Sequence, residues 1–187
     1  MRNGTRWLLG LVFFGAIFMA GIAHALPMAS MTLLDPDIIV GENFQVQVEI
    51  SGEGIDQGLL GFGFNVQPDS SLFSYSGYTL GPGFADVSDP LDPFNITGAA
   101  FPAIETDDVL LATLSFASLT EGTGLLEIFG DNMGCNFCGL MYEVDAFDIA
   151  SSTSITVDPI PEPSTWLLMV TGFLGLIGMM HKRLKVK

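Results

Sequence analysis

Apolar and polar residues alternate along much of this chain with the period of two that a half-buried strand requires. The clearest case runs from Phe44 to Ile50, where Phe, Val, Val and Ile alternate with Gln, Gln and Glu. The segment from Leu60 to Val66 repeats the alternation, with glycine and asparagine at the intervening positions. Both segments are predicted to be strands that bury one face and expose the other.

Further segments of the same kind, bounded by Gly, Pro, Asn, Asp and Ser, continue the pattern towards residue 157. They are Leu72–Leu80, Asn95–Phe101, Val109–Leu119, Leu125–Phe129 and Ile149–Val157. The run from Gly81 to Pro93 is rich in Gly, Pro and Asp and is predicted to be a long loop. Short strands separated by turn residues, with no helical period between them, predict an all-β antiparallel β-sandwich.

The first 25 residues follow a different pattern. Arg2 and Arg6 precede an apolar run that ends in the small-x-small sequence Ala23-His24-Ala25. This order predicts a secretory signal peptide, residues 1–25, removed after Ala25. The alternative is an N-terminal helix that is not cleaved. Residues 26–160 are then the body of the protein, 135 residues in length, which is enough for one domain with its own core.

The C-terminal stretch, residues 161–187, has three parts in a fixed order. Pro161, Glu162 and Pro163 come first and are predicted to be extended, because proline fixes φ and lacks an N–H. An uncharged run of 17 residues, 164–180, follows. As a helix it would be about 25 Å long, the lower limit for crossing a bilayer. The last seven residues carry four Lys or Arg, which the positive-inside rule places in the cytoplasm.

A Pro-Glu-Pro sequence, a Gly-rich apolar helix and a terminal basic cluster resemble, in this order, the PEP-CTERM sorting signal. The resemblance implies an exosortase-type membrane enzyme as partner, in bacteria that make exopolysaccharide. It also implies export, anchoring in the inner membrane with the body facing the periplasm, and later processing to the cell surface or extracellular matrix. The alternative is an ordinary transmembrane anchor behind a Pro-rich linker.

The body of the protein contains no Lys, Arg or His, because all of these residues lie in the two ends. It holds 20 of the 21 acidic residues, the exception being Glu162. Nucleic acid and other polyanions are therefore excluded as partners, since binding phosphate needs cationic side chains. Repulsion among the carboxylates is expected to raise their pKa values on average, and salt or a divalent cation is expected to stabilise the fold.

Three segments of the body are similar to cohesin domains. They are Val40–Val48, Leu60–Leu72 and Val109–Phe116. The resemblance implies a cohesin-like, jelly-roll-like sandwich of about nine strands. Dockerin binding does not follow from it, because the surface that would bind a dockerin is not identifiable in this sequence.

Cys135 and Cys138 are the two cysteines of the chain. Export to an oxidising compartment favours a disulfide between them. A redox-active pair would need a thioredoxin-like context, and zinc would need two further ligands, whereas the body has no other Cys and no His. Free thiols are the remaining alternative.

Asp86, Asp89 and Asp92 recur within the predicted loop, and carboxylates in flexible loops are the ligands that Ca²⁺ prefers. A Ca²⁺ site is therefore a hypothesis for this loop, although the twelve-residue calcium-binding pattern is missing. The alternative is that the three carboxylates are simply solvated. Two further acidic clusters lie at residues 107–108 and 143–148.

Enzymatic activity is not expected, because a body without His or Lys has no ordinary base for a Ser or Cys nucleophile. We expect an exported structural or adhesive protein linked to exopolysaccharide or biofilm. Aromatic residues beside carboxylates suit sugar rings, so one alternative is a carbohydrate-binding module for the exopolysaccharide. The other is a small glycosidase that uses a carboxylate pair. Filling the core is the simpler role for these aromatic residues, which are Phe73, Tyr75, Tyr78, Phe84, Phe94 and Phe137.

Overall fold

A computed structural model describes residues 26–52, 57–105, 108–132 and 138–160, together with 169 and 171–174. Within these ranges the chain forms twelve strands, numbered here in chain order. They are β1 (Met28–Leu33), β2 (Ile38–Ile39), β3 (Asn43–Ser51), β4 (Leu59–Pro68), β5 (Phe73–Leu80), β6 (Phe84–Asp86), β7 (Asn95–Ile104), β8 (Asp108–Ser118), β9 (Gly122–Gly130), β10 (Gly139–Tyr142), β11 (Ala146–Phe147) and β12 (Ile149–Asp158).

The strands form two sheets that pack face to face, which confirms the predicted β-sandwich. One sheet has four antiparallel strands in the order β1-β3-β8-β5. The other has eight strands, six of them in the order β11-β10-β4-β9-β12-β2, while β7 pairs with β4 and β6 pairs with β7. The short strand β2 runs parallel to β12, with Ile38 opposite Val157.

The core lies between the sheets and is built from alternate residues of the longer strands. In β3 the side chains of Phe44, Val46, Val48 and Ile50 are all no more than 3% exposed, as their alternation predicts. In β4 the alternation shifts at its start, so that Leu59 rather than Leu60 is buried. The register with β7 is irregular at this point, which explains the shift. Complete burial of one such side chain stabilises the fold by about 1.5–3 kcal/mol.

Three phenylalanines form the centre of the core at one end of the sandwich. The ring of Phe44 stacks on that of Phe116, with 5.3 Å between centroids. The ring of Phe73 meets both of them edge to face, at 5.8 Å from Phe44 and 5.7 Å from Phe116. Phe73 therefore fills the core, the simpler of the roles expected for the aromatic residues.

The predicted long loop from Gly81 to Pro93 is wrong at one place, because Phe84–Asp86 forms β6 and pairs with β7. The strands β1, β2, β10 and β11 were also not expected from the pattern. They are short or only weakly alternating, and β2 and β10 pair with strands far away in the sequence, β12 and β4. Nine of the twelve strands have four residues or more, while β2, β6 and β11 have two or three.

Several predictions concern residues outside the described ranges. These are the signal peptide 1–25, the residues Pro161, Glu162 and Pro163, and most of the apolar run 164–180. Met169 and residues 171–174 are helical. Among the residues that the structure describes, no helix is long and apolar enough to cross a membrane. The signal peptide and the transmembrane helix therefore stay predictions.

Candidate functional site

A cleft of about 550 Å³ opens between β5 and the loop that joins β6 to β7. It brings together the tyrosines of β5 and the aspartates that follow β6, two groups that were predicted independently. Its lining residues are Tyr75, Ser76, Gly77, Tyr78, Asp86, Ser88, Asp89, Pro90, Asp92, Pro93, Phe94 and Asn95.

An irregularity in β5 shapes one wall of this cleft. The pairing of β5 with β8 shifts between Tyr75 and Gly77, so Ser76 is an extra residue in the strand. Residues three apart in a regular strand point to opposite faces. One inserted residue reverses this, and Tyr75 and Tyr78 therefore both line the cleft and both pack against the core.

Aromatic rings in contact with one another connect the cleft with the core. The ring centroid of Tyr75 lies 5.6 Å from that of Phe116 in the core and 5.5 Å from that of Phe94 at the rim. Phe94 is 42% exposed, so its ring faces solvent. The hydroxyl oxygen of Tyr75 is buried and has no hydrogen-bond partner within the described part of the chain. Burial raises the pKa of Tyr75, with smaller contributions from Tyr78 and Asp86.

The aspartates that were predicted as a Ca²⁺ site form three successive turns in the opposite wall. Oδ1 of Asp86 accepts the backbone N–H of Ser88 at 3.0 Å. Oδ1 of Asp89 accepts that of Leu91 at 2.9 Å, and Oδ1 of Asp92 accepts that of Phe94 at 3.2 Å. Each carboxylate thus closes a turn onto the residue two positions later, a characteristic use of aspartate in loops.

Asp86 also links the two walls, because its Oδ2 accepts a hydrogen bond from the Tyr78 hydroxyl at 2.8 Å. Partial burial raises the pKa of Asp86, but the hydrogen bonds from Ser88 and Tyr78 outweigh burial and the pKa is lowered overall. The pKa of Asp69 is lowered as well, by hydrogen bonds from the Ser71 hydroxyl and N–H. At these two carboxyl groups the expected rise in pKa is therefore not found, since local donors are stronger than repulsion between charges.

Among the described residues, no group of three His, Cys, Asp or Glu side chains is placed to hold a metal ion. A Ca²⁺ site at Asp86, Asp89 and Asp92 stays a prediction. The disulfide also stays a prediction, because Cys135 lies outside the described ranges while Cys138 is 7% exposed.

The acidic cluster at residues 143–148 serves the structure of neighbouring segments. Oδ1 of Asp148 accepts the N–H of Asn132 at 3.0 Å, and Oδ2 of Asp145 accepts Nε2 of Gln57 at 3.1 Å. These contacts hold the segments around β10 and β11 to their neighbours, and this cluster does not line the cleft. The sequence signal of Asp86, Asp89 and Asp92 was turn formation, which their spacing in a Gly- and Pro-rich segment could have indicated.

Comparison with known proteins identifies the C-terminal segment. Residues 159–183 match the PEP-CTERM protein-sorting motif. The chain carries a PEP-CTERM sorting motif. The resemblance that was noted from Pro161, Glu162 and Pro163 is thereby confirmed. No curated protein matches the chain in sequence.

The PEP-CTERM motif follows a domain whose fold is that of cohesin modules. A cohesin module of a family 33 glycoside hydrolase from Clostridium perfringens is 12% identical, with a TM-score of 0.56 over 73% of this chain and 99% of that one. A type I cohesin–dockerin complex from Clostridium thermocellum matches at 9% identity, with a TM-score of 0.53 over 73% and 97%. A type II cohesin–X-dockerin complex from Acetivibrio cellulolyticus matches at 12%, with a TM-score of 0.51 over 71% and 100%. At these identities the likeness establishes the fold.

The PEP-CTERM motif begins directly where the sandwich ends. The strand β12 ends at Asp158, and the motif starts at the next residue, Pro159. The end of β12 is fixed by its parallel pairing with β2 and by the N–H of Val40, which donates to the carbonyl of Asp158 at 3.1 Å. The folded domain therefore reaches the first residue of the sorting motif without an intervening linker.

Proposed function

We propose that this protein is an exported, non-enzymatic module of the cell envelope or extracellular matrix that an exosortase-type membrane enzyme sorts. The observation that carries the proposal is the PEP-CTERM motif at residues 159–183, placed directly behind a cohesin-like sandwich. Residues 1–25 direct export, and residues 164–180 hold the protein in the inner membrane with the sandwich in the periplasm. Processing then moves it to the surface or matrix.

The role of the sandwich in this proposal is structural or adhesive and linked to exopolysaccharide or biofilm. Similarity to cohesin modules, two of them in cohesin–dockerin complexes, supports a domain that binds another macromolecule. The absence of His, Lys and Arg from residues 26–160 supports a role without catalysis, because ordinary acid–base and nucleophilic mechanisms need such groups. The binding partner is the exopolysaccharide or another envelope protein.

The sorting step is tested by replacing Pro161, Glu162 and Pro163 together with alanine in the native host. The variant is expected to stay unprocessed in the inner membrane, because the enzyme would lose its recognition sequence. Mass spectrometry of the mature C-terminus and cell fractionation measure both effects. Residues 35–37, Asp-Pro-Asp, lie in an exposed loop, and their replacement with alanine is the matched control. Unchanged processing and location after the first replacement would contradict the proposal.

Carbohydrate binding is the second candidate function, and the cleft is the observation that favours it. Aromatic rings beside hydrogen-bonding groups in a concave site suit a sugar ring, which has both an apolar face and hydroxyl groups. The cleft supplies the rings of Tyr75, Tyr78 and Phe94 beside carboxylates and the amide of Asn95. A glycan array separates this function from binding to an envelope protein. Loss of any glycan signal in the Phe94→Ala variant would place the binding in the cleft.

A further inference from the structure

We propose that the cleft binds saccharide units that carry a protonated amino group. This inference rests on the second candidate function, carbohydrate binding, and adds the charge of the ligand. Three features of the cleft carry it: its unbalanced negative charge, its supply of hydrogen-bond acceptors and its exposed aromatic rings.

The charge of the cleft is negative and has no counter-charge in the body of the protein. Asp86, Asp89 and Asp92 all line it, and residues 26–160 contain no Lys, Arg or His that could pair with them. A cationic group on a ligand would therefore supply the positive charge that the body of the protein lacks. An anionic sugar such as a uronic acid would be repelled for the same reason.

The wall formed by the aspartates presents acceptors rather than donors. Asp89 and Asp92 each use Oδ1 to hold a turn, whereas Oδ2 of each accepts no hydrogen bond from the described residues. The Tyr78 hydroxyl already donates to Asp86, and the Asn95 amide donates to Asn65 at 3.2 Å. A ligand group that only donates hydrogen bonds, such as an ammonium group, complements this wall.

The aromatic rings provide a surface for the apolar face of the sugar. Phe94 lies at the rim beside Tyr75, with 33° between the ring planes, and is held in place by its own N–H on Asp92. Its exposed face is positioned for the apolar face of a sugar ring. A cation close to an aromatic face is also attracted to it, which adds to the preference for an amino sugar. The same turn that positions the carboxylate of Asp92 therefore positions the ring.

The experiment compares three hexasaccharides by calorimetric titration into the full-length protein in detergent, at pH 5.5 and with EDTA present. They are the glucosamine hexamer, the N-acetylglucosamine hexamer and the galacturonic acid hexamer. We expect the glucosamine hexamer to bind about five- to tenfold more tightly than the acetylated one, as two exposed ion pairs would produce. We expect no binding of the galacturonic acid hexamer, and weaker binding of the glucosamine hexamer as salt is raised.

Two double variants with equal change in net charge locate the effect. Asp89→Asn with Asp92→Asn keeps an oxygen for each turn but removes two of the three carboxylate charges from the cleft, and should abolish most of the preference for the amine. Asp35→Asn with Asp37→Asn, in the exposed loop between β1 and β2, should leave the preference intact. If both double variants reduce it equally, the attraction belongs to the whole molecule and the inference is overturned.

The failure of this inference is distinguishable from that of the function on which it rests. Equal binding of the amino and acetylated hexamers overturns the inference while carbohydrate binding stands. Absence of binding to either hexamer, when the protein also gives no signal on a broad glycan array, overturns both. Loss of binding to both hexamers in the Phe94→Ala variant, with an unchanged melting temperature, supports the cleft as the site.

Discussion

At the scale of single residues, aspartate and serine side chains form the hydrogen bonds that backbone groups lose where the strands end. Asp86, Asp89 and Asp92 each accept an N–H two residues ahead, and Asp69 does the same for Ser71. A carboxylate that satisfies a loop N–H in this way holds the chain in a turn without a partner from another strand. The turns of the loop beside the cleft are therefore closed by its own side chains, while Val87 and Ser88 tie the loop to Thr97 of β7.

Ser118 has the same effect inside the protein, where it is 3% exposed. Its hydroxyl lies 2.7 Å from the carbonyl oxygen of Ile39 and 3.0 Å from that of Glu42, and it accepts the N–H of Glu42 at 3.1 Å. One serine thus joins the end of β8 to the turn between β2 and β3.

The Ser118→Ala variant is expected to unfold more easily, by about 0.5–1.5 kcal/mol, because the part-buried N–H of Glu42 and the carbonyl of Ile39 lose their hydrogen-bond partner. Urea denaturation followed by fluorescence measures the change in the free energy of unfolding. Ser74→Ala, at an exposed position of β5, is the control and should change this free energy by less than about 0.5 kcal/mol. Equal stability of the two variants would show that the Ser118 hydroxyl does not join these segments.

At the scale of elements, the bulge in β5 decides which side chains reach the cleft. The extra residue Ser76 places Tyr75 and Tyr78 on one side, and Gly77 adopts a φ of +143° to allow it. A Cβ atom at Gly77 would meet nothing within 4 Å, so glycine is required here by backbone conformation rather than by space. The aromatic wall of the cleft therefore depends on a single backbone angle.

The Gly77→Ala variant is expected to lose about 1 kcal/mol or more of unfolding free energy, because an L side chain is strained at this positive φ. Thermal unfolding measures the loss, and Ser76→Ala at the neighbouring exposed position is its control. The strain should also disturb the contact between Tyr78 and Asp86. A Gly77→Ala protein as stable as Ser76→Ala would mean that the bulge tolerates a side chain and that the angle is not a constraint.

At the scale of the whole molecule, charge separates the body from the two ends. The body carries 20 carboxylates and no cationic side chain, and the basic residues lie in segments predicted to be a signal peptide and a cytoplasmic tail. Folding brings these carboxylates closer together than they are in the open chain. The fold is therefore expected to depend on screening by ions.

Salt is expected to raise the melting temperature of the full-length protein at pH 7. The pKa values of Asp69 and Asp86 are lowered, so their contribution to stability is fully present at this pH and would be lost only as pH falls through those lowered values. Melting curves in NaCl measure the effect of screening. CaCl₂ at the same ionic strength tests the predicted Ca²⁺ site. A melting temperature higher than that in NaCl would indicate that Ca²⁺ binds at Asp86, Asp89 and Asp92 or at another acidic cluster. A melting temperature that does not change with salt would contradict the repulsion argument.

The sequence by itself determined the class of fold and the export and sorting that we propose for the protein. Strict alternation from Phe44 to Ile50 predicted a half-buried strand, because successive side chains of a strand point to opposite faces whatever their partner is. The order of Pro161, Glu162, Pro163, an apolar run and a basic tail predicted the sorting motif, since such a signal is read as linear sequence. Both properties are local and require no knowledge of the fold.

The tertiary structure decided what the local pattern left open. Phe84–Asp86 is a strand only because β7 lies beside it, and the bulge at Ser76 exists only in the register between β5 and β8. The cleft depends on both, because it joins residues of β5 to the loop between β6 and β7. Pairing partners and register are long-range choices made by packing, and a periodic pattern specifies the faces of a strand but not its neighbours.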